Sequence, residues 1–145
     1  MIERELDIAT QDGAMNTYTV RPDDGGPLPV VIMLMDAPGV REGLREICRR
    51  IAQSGYYVLL PNFYYRSTRE FVCGPTRNHP DAEANLKRMF GLLESISNAK
   101  VAADTGAVLD VLPTLPDAKA GKVGLLGYCM SGAFVTAAAA AHPDR

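Results

Sequence analysis

The chain has 145 residues, 47% of them hydrophobic and 22% charged, with a formal net charge of -2. That length and apolar content suit one domain with a real core, and the near-neutral balance has neither the basic footprint of a nucleic-acid binder nor an acidic tail. No apolar run approaches the roughly 20 residues of a membrane span, and Met1-Ile2-Glu3-Arg4-Glu5 lacks a basic segment leading into an apolar one, so a cytoplasmic protein is expected. Three cysteines and two histidines, with no Cys-x-x-Cys pair, argue against a disulfide framework and against a metal site.

Residues 3–9 and 15–21 have strand character, and Gln11-Asp12-Gly13 between them signals a hairpin turn. Residues 22–29 read as a loop. The continuous apolar run 30–35 predicts a strand buried on both faces of a mostly parallel sheet. Asp36-Ala37-Pro38-Gly39 follows at that strand's carboxyl end, where open α/β sheets place ligands. Residues 42–54 predict a helix whose apolar face includes Leu44, Ile47, Cys48 and Ile51, which makes Cys48 a core residue. Gly55 ends this helix, as glycine commonly does, and residues 56–60 form a second buried strand. Strand, helix, strand in this order implies a right-handed parallel crossover.

Asn62-Phe63-Tyr64-Tyr65-Arg66 again follows a strand's carboxyl end. Residues 81–95 predict a helix with Leu86, Met89, Phe90 and Leu93 inward, and residues 101–112 another, with Asp104 and Asp110 on exposed positions. Residues 113–121 connect to a short apolar strand, 123–126. The alternation fixes an α/β class with a largely parallel sheet opened by a hairpin.

That last strand turns through Gly127 into an alanine-rich helix beginning near Ser131. A strand that reverses into a helix within a few residues needs small residues around the bend and strains the residue at its tip. Cys129 occupies the tip. The pattern is that of a nucleophile elbow, Gly-x-Ser-x-Gly, with cysteine in the serine position and Ser131 at the fifth. The amide of Met130 is expected to face a developing oxyanion, and the helix start favours a thiolate over a thiol. A phosphate loop is excluded because Ala133 and Phe134 follow Gly132. Gly124, Gly127 and Gly132 do not fit a dinucleotide fingerprint.

With these residues in view, the chain resembles the dienelactone hydrolases, members of the α/β-hydrolase fold with a cysteine nucleophile. Gly127-Tyr128-Cys129-Met130-Ser131-Gly132 resembles that family's Gly-Tyr-Cys-Leu-Gly-Gly elbow. Met35-Asp36-Ala37-Pro38-Gly39 falls where the family has a glutamate followed by Ile-Phe-Gly, and Leu60-Pro61-Asn62-Phe63-Tyr64-Tyr65-Arg66 resembles its Pro-Asp-Leu-Tyr-x-Arg. The resemblance implies an α/β-hydrolase sheet with helices on both faces and hydrolysis of a small-molecule lactone or ester, with no cofactor. It implies that Cys129 attacks the carbonyl and that the amides of Ala37 and Met130 form the oxyanion hole. It further implies that Asp36, aspartate in place of glutamate, accepts the thiol proton, and that Arg66 holds Asp36 and helps bind a substrate carboxylate.

In this fold the triad acid and histidine follow the nucleophile in chain order. His142 lies at the far end of the last helix, about 18 Å from the tip at 1.5 Å per residue, and His79 precedes the nucleophile, so neither is expected to be the base. The expectation is that residues 1–145 are the N-terminal part of a single α/β-hydrolase domain, without a competent triad. Two other readings compete: a broader carboxylesterase or acyltransferase on the same scaffold, and a non-catalytic binding or regulatory protein that kept the scaffold. Oligomeric state is not fixed by the sequence.

Overall fold

A computed structural model describes residues 1–23 and 25–145; Asp24, within the expected loop 22–29, lies outside the described residues. The strands are β1 (Ile2–Thr10), β2 (Gly13–Arg21), β3 (Val30–Leu34), β4 (Tyr57–Pro61) and β5 (Gly124–Gly127). The helices are α1 (Glu42–Gln53), α2 (Ala82–Glu94), α3 (Asn98–Val111) and α4 (Ser131–Ala141). Each expected element is present, with no end shifted by more than three residues.

The strands form one sheet in the order β1-β2-β4-β3-β5. β3 runs parallel to β4 and β5, whereas the β1–β2 hairpin adds antiparallel onto β4. The sheet is therefore mixed, its parallel part confined to β4, β3 and β5. From β3 the chain moves to β4 on one side, then returns past β3 to β5 on the other. Crossovers of the usual right hand that travel in opposite directions place their helices on opposite faces. α1 lies on β2 and β4, while α3 and α4 pack on each other, α3 also on β1 and α4 on β5 and β3.

The core is the apolar run of β3 and β4: Ile32, Met33, Leu34, Val58, Leu59 and Leu60 are fully buried. Strands covered on both faces need apolar residues at every position, which explains the lack of alternation. β5 is an edge strand, only partly buried, and among the described residues nothing pairs its far side. Among the described residues no helix is long and apolar enough to cross a membrane.

Two expectations are corrected. Phe90 is 52% exposed, and α2 contributes no buried residue; Met89, Leu92 and Leu93 only lean on the core. Asp104 is buried, at 2% exposure, because it shares the inward stripe of α3 with Val101, Thr105 and Val108. A carboxylate in that position needs a cationic partner, and Arg66 supplies it.

Candidate active site

Three loops meet at the carboxyl ends of β3, β4 and β5, carrying Asp36–Gly39, Asn62–Arg66 and the elbow. Cys129 sits at the elbow tip with φ of 56°, one of two non-glycine residues with positive φ among the described residues, and it is exposed. A cysteine there costs about 1–3 kcal/mol, strain that the surrounding packing must hold. Gly127 makes the tight return feasible: a Cβ at this position would lie 2.8 Å from Ser131 Cβ and 2.9 Å from Val135 Cγ2. Ser131 does more than fit. It is fully buried, and its hydroxyl donates to the Met35 carbonyl, tying the start of α4 to the residue that follows β3.

The Asp36–Gly39 loop is a tight turn, closed by the Gly39 amide donating to the Asp36 carbonyl at 3.1 Å. Gly39 adopts φ of 93°, and a Cβ there would strike the Phe71 carbonyl oxygen at 2.1 Å, so only glycine fits. The next segment is laced to this turn by the Cys73 amide, which donates to the Pro38 carbonyl at 2.9 Å. Among the described residues, neither the Ala37 amide nor the Met130 amide donates to a protein acceptor. Backbone amides are usually paired, so two that donate to no protein acceptor, one of them on the residue after the exposed Cys129, are notable for oxyanion chemistry.

The pairing of Asp36 with Arg66 implied by the resemblance is not formed. Asp36 is held instead by both terminal nitrogens of Arg41, Nη2 to Oδ2 at 2.9 Å and Nη1 to Oδ1. Arg66 turns to the other side: Nη1 and Nη2 donate to Asp104 at 2.8 and 2.9 Å, and Nε donates to Asp12 at 2.7 Å. Its guanidinium also stacks 4.6 Å from the Tyr65 ring centroid, and the Tyr65 hydroxyl donates to Asp104. The physical reason is proximity along the chain: Arg41, the residue before α1, is five positions from Asp36, whereas β4's loop aims Arg66 at α3. With its Nε and both terminal nitrogens bound to carboxylates, Arg66 is placed as a clamp between loop and helix.

The two histidines stand away from the elbow. His79 Nδ1 accepts the Asp81 amide at 3.1 Å ahead of α2, and His142 Nε2 contacts the Ala102 carbonyl at 2.8 Å, pinning the end of α4 to α3. Cys48 is fully buried, and burial pushes its thiol up to about 12. Cys73 is half-buried, 3.7 Å from the Asn85 carbonyl. Two residues that the sequence reading did not single out belong to the site: Arg41 and Tyr64, whose hydroxyl donates to the Ala37 carbonyl at 2.9 Å.

A parallel β4-β3-β5 core, helices on both faces and a cysteine at a strained strand-to-helix tip define an α/β hydrolase. The chain belongs to the dienelactone hydrolase family, whose sequence profile matches residues 15–145. It is 33% identical over 141 residues to an Escherichia coli (strain K12) protein named "Putative carboxymethylenebutenolidase", covering 94% of this chain and 47% of that protein. A Methylorubrum extorquens protein of the same name is 26% identical, with 99% of this chain and 46% of that protein covered. The chain thus spans about half the length of the curated relatives it matches. Among solved structures, a Klebsiella pneumoniae protein described as a "Putative Dienelactone Hydrolase" superposes with a TM-score of 0.69 at 31% identity, covering 88% of this chain and 50% of that one. The dienelactone hydrolase from Anabaena variabilis superposes with a TM-score of 0.67 at 18% identity, over 98% of this chain and 58% of that one, and shares the fold.

Proposed function

We propose that this chain carries the nucleophilic half of a cysteine hydrolase that opens a small lactone or cleaves a small ester in the cytoplasm. The carrying observation is the exposed Cys129 at φ of 56° beside two unpaired backbone amides. The Cys129 thiolate attacks the carbonyl carbon, forming the C–S bond while the carbonyl π electrons move to oxygen. The amides of Ala37 and Met130 stabilise that oxyanion, and no reorganisation is needed because both are already unpaired. Collapse expels the alkoxide, which takes the proton that Asp36 received from the thiol, and leaves an acyl-cysteine.

Release of the acyl group needs a base that activates water. His79 and His142 are engaged elsewhere. Asp36, at the same strand ends as the elbow, has the earlier role of accepting the Cys129 thiol proton, and Arg41 fixes its orientation through two parallel hydrogen bonds. The family and the relatives' names support the lactone or ester class for the complete protein.

The test is a rapid-mixing experiment with 4-nitrophenyl acetate. A burst of 4-nitrophenolate of about one equivalent per chain, lost in Cys129→Ala and kept in Cys73→Ala, is expected for a covalent acyl-enzyme. A folded chain with no burst would favour the non-catalytic binding protein.

A further inference from the structure

We propose that Tyr64 is a positioning residue of the oxyanion hole, one side chain that sets the spacing between the two backbone amides; this rests on the function proposed above. Tyr64 is fully buried yet polar. Its hydroxyl donates to the Ala37 carbonyl at 2.9 Å and lies 4.0 Å from Met130 Sδ. These are the two residues whose amides are proposed above as the oxyanion donors. Among the described residues no other side-chain hydrogen bond reaches either of them.

The surroundings fix the ring before it can fix anything else. Its own amide donates to Asn62 Oδ1 at 3.0 Å, and Asn62 in turn donates to Asn16 Oδ1 and to the Thr68 carbonyl. Phe71 meets the ring edge-on, with centroids 5.8 Å apart and planes at 77°. The Phe71 backbone closes over Gly39, so the same residue that braces Tyr64 also braces the turn. Burial pushes the phenol up to about 12, and the negative charges of Asp36 and then Cys129 push it the same way. The hydroxyl therefore keeps its proton, and stays a donor, across the range in which a thiolate reacts.

The consequence for chemistry is specific. Ala37 is followed by Pro38, which has no N–H, so in this part of the turn only the Ala37 amide is available to an oxyanion. The Tyr64 hydroxyl holds the Ala37–Pro38 peptide unit and the Gly39 amide holds the Asp36 carbonyl, so the two peptide planes on either side of Ala37 are both tied and its amide has little freedom to swing. A donor must sit about 2.7–3.1 Å from the oxyanion to act, and a displacement on the order of 1 Å is costly. Ester attack builds an oxyanion; alkylation by a haloacetamide does not. Loss of the Tyr64 hydroxyl should thus slow the first reaction at Cys129 and spare the second.

The experiment measures both rates on the 145-residue chain, with 4-nitrophenyl acetate and iodoacetamide as probes and Cys73 as the internal reference. In the wild type the ratio of acylation to alkylation should be much higher at Cys129 than at Cys73. In Tyr64→Phe the acylation of Cys129 should fall about tenfold, a fraction of what loss of a direct oxyanion donor costs, while alkylation stays within about twofold of wild type. A parallel fall of both rates, or no fall in acylation, would overturn the role of Tyr64. Equal ratios at Cys129 and Cys73 in the wild type would instead contradict the proposed nucleophile itself. Should Tyr64→Phe not hold its fold, 4-aminophenylalanine at the same position keeps a donor. A folded chain of that kind should retain the wild-type ratio, and its loss would overturn the proposal.

Discussion

Arg66 lays its two terminal nitrogens on the carboxylate of Asp104, at 2.8 and 2.9 Å, joining the loop after β4 to the middle of α3. Asp104 is 3% exposed in its side chain and Arg66 17%, so the pair is shielded and each member depends on the other. Removing one partner of such a pair costs about 3–5 kcal/mol, whereas replacing both with apolar groups costs far less. Asp104→Ala and Arg66→Met should each lower the urea midpoint strongly, and the double replacement Arg66→Met with Asp104→Leu should recover much of the loss. Arg66→Met should leave Cys129 acylation nearly unchanged under conditions where the variant is folded. A large and selective loss of acylation would return Arg66 to the substrate-binding role that the family resemblance implies.

Gly127 is where the return of the chain is tightest. An added methyl would lie within 3.0 Å of three heavy atoms, including the Ser131 carbonyl oxygen. Overpacking of this kind costs about 1–3 kcal/mol, and relief can come only by moving β5 from α4. Gly127→Ala should therefore lower the thermal midpoint and slow Cys129 acylation together, read by calorimetry and by 4-nitrophenolate release. Gly132→Ala, which meets open space, is the control and should change neither.

Alkaline stability follows from burial. The Cys48 thiol is pushed up from 9.0 to about 12 by burial, and the Tyr64 phenol from 10.0 to about 12 by burial and then by Asp36. Between these values the unfolded chain has released protons that the folded chain still holds, so stability is intact below pH 9 and falls as pH rises toward 12. Each group contributes a slope of up to about 1.4 kcal/mol per pH unit within its window. Urea midpoints from pH 8 to 11 should show the decline, and Cys48→Ala should remove the part that begins near pH 9.

The elbow could be read from sequence because its constraint is local: a short apolar run, Gly127, a tip residue and then small residues leave few alternatives. β3 and β4 were legible for a similar reason, since an apolar residue at every position marks a strand covered on both faces. What the sequence hid were partners. Arg41 follows Asp36 by five residues and Arg66 is the partner that the resemblance implies, and only the direction in which each loop leaves the sheet decides between them. Asp104 was recoverable, because it falls on the stripe of Val101, Thr105 and Val108, and an acid on an inward stripe implies a cation opposite. Phe90 misled because helical spacing shows which apolar residues share a face, not whether anything covers that face. Tyr64 carried no signal of its own: an aromatic after a buried strand reads as core, which it is, and its hydroxyl's partner is a backbone carbonyl in another loop.

We propose that Cys129 is an activated nucleophile whose oxyanion is met by the amides of Ala37 and Met130. It is tested most directly by exposing the folded chain briefly to 4-nitrophenyl acetate and mapping the acetyl group by peptide mass spectrometry across Cys48, Cys73 and Cys129. Cys129 should be acetylated far ahead of the half-buried Cys73, with the buried Cys48 last. Equal acetylation of Cys73 and Cys129 in a chain shown to be folded by circular dichroism would contradict it.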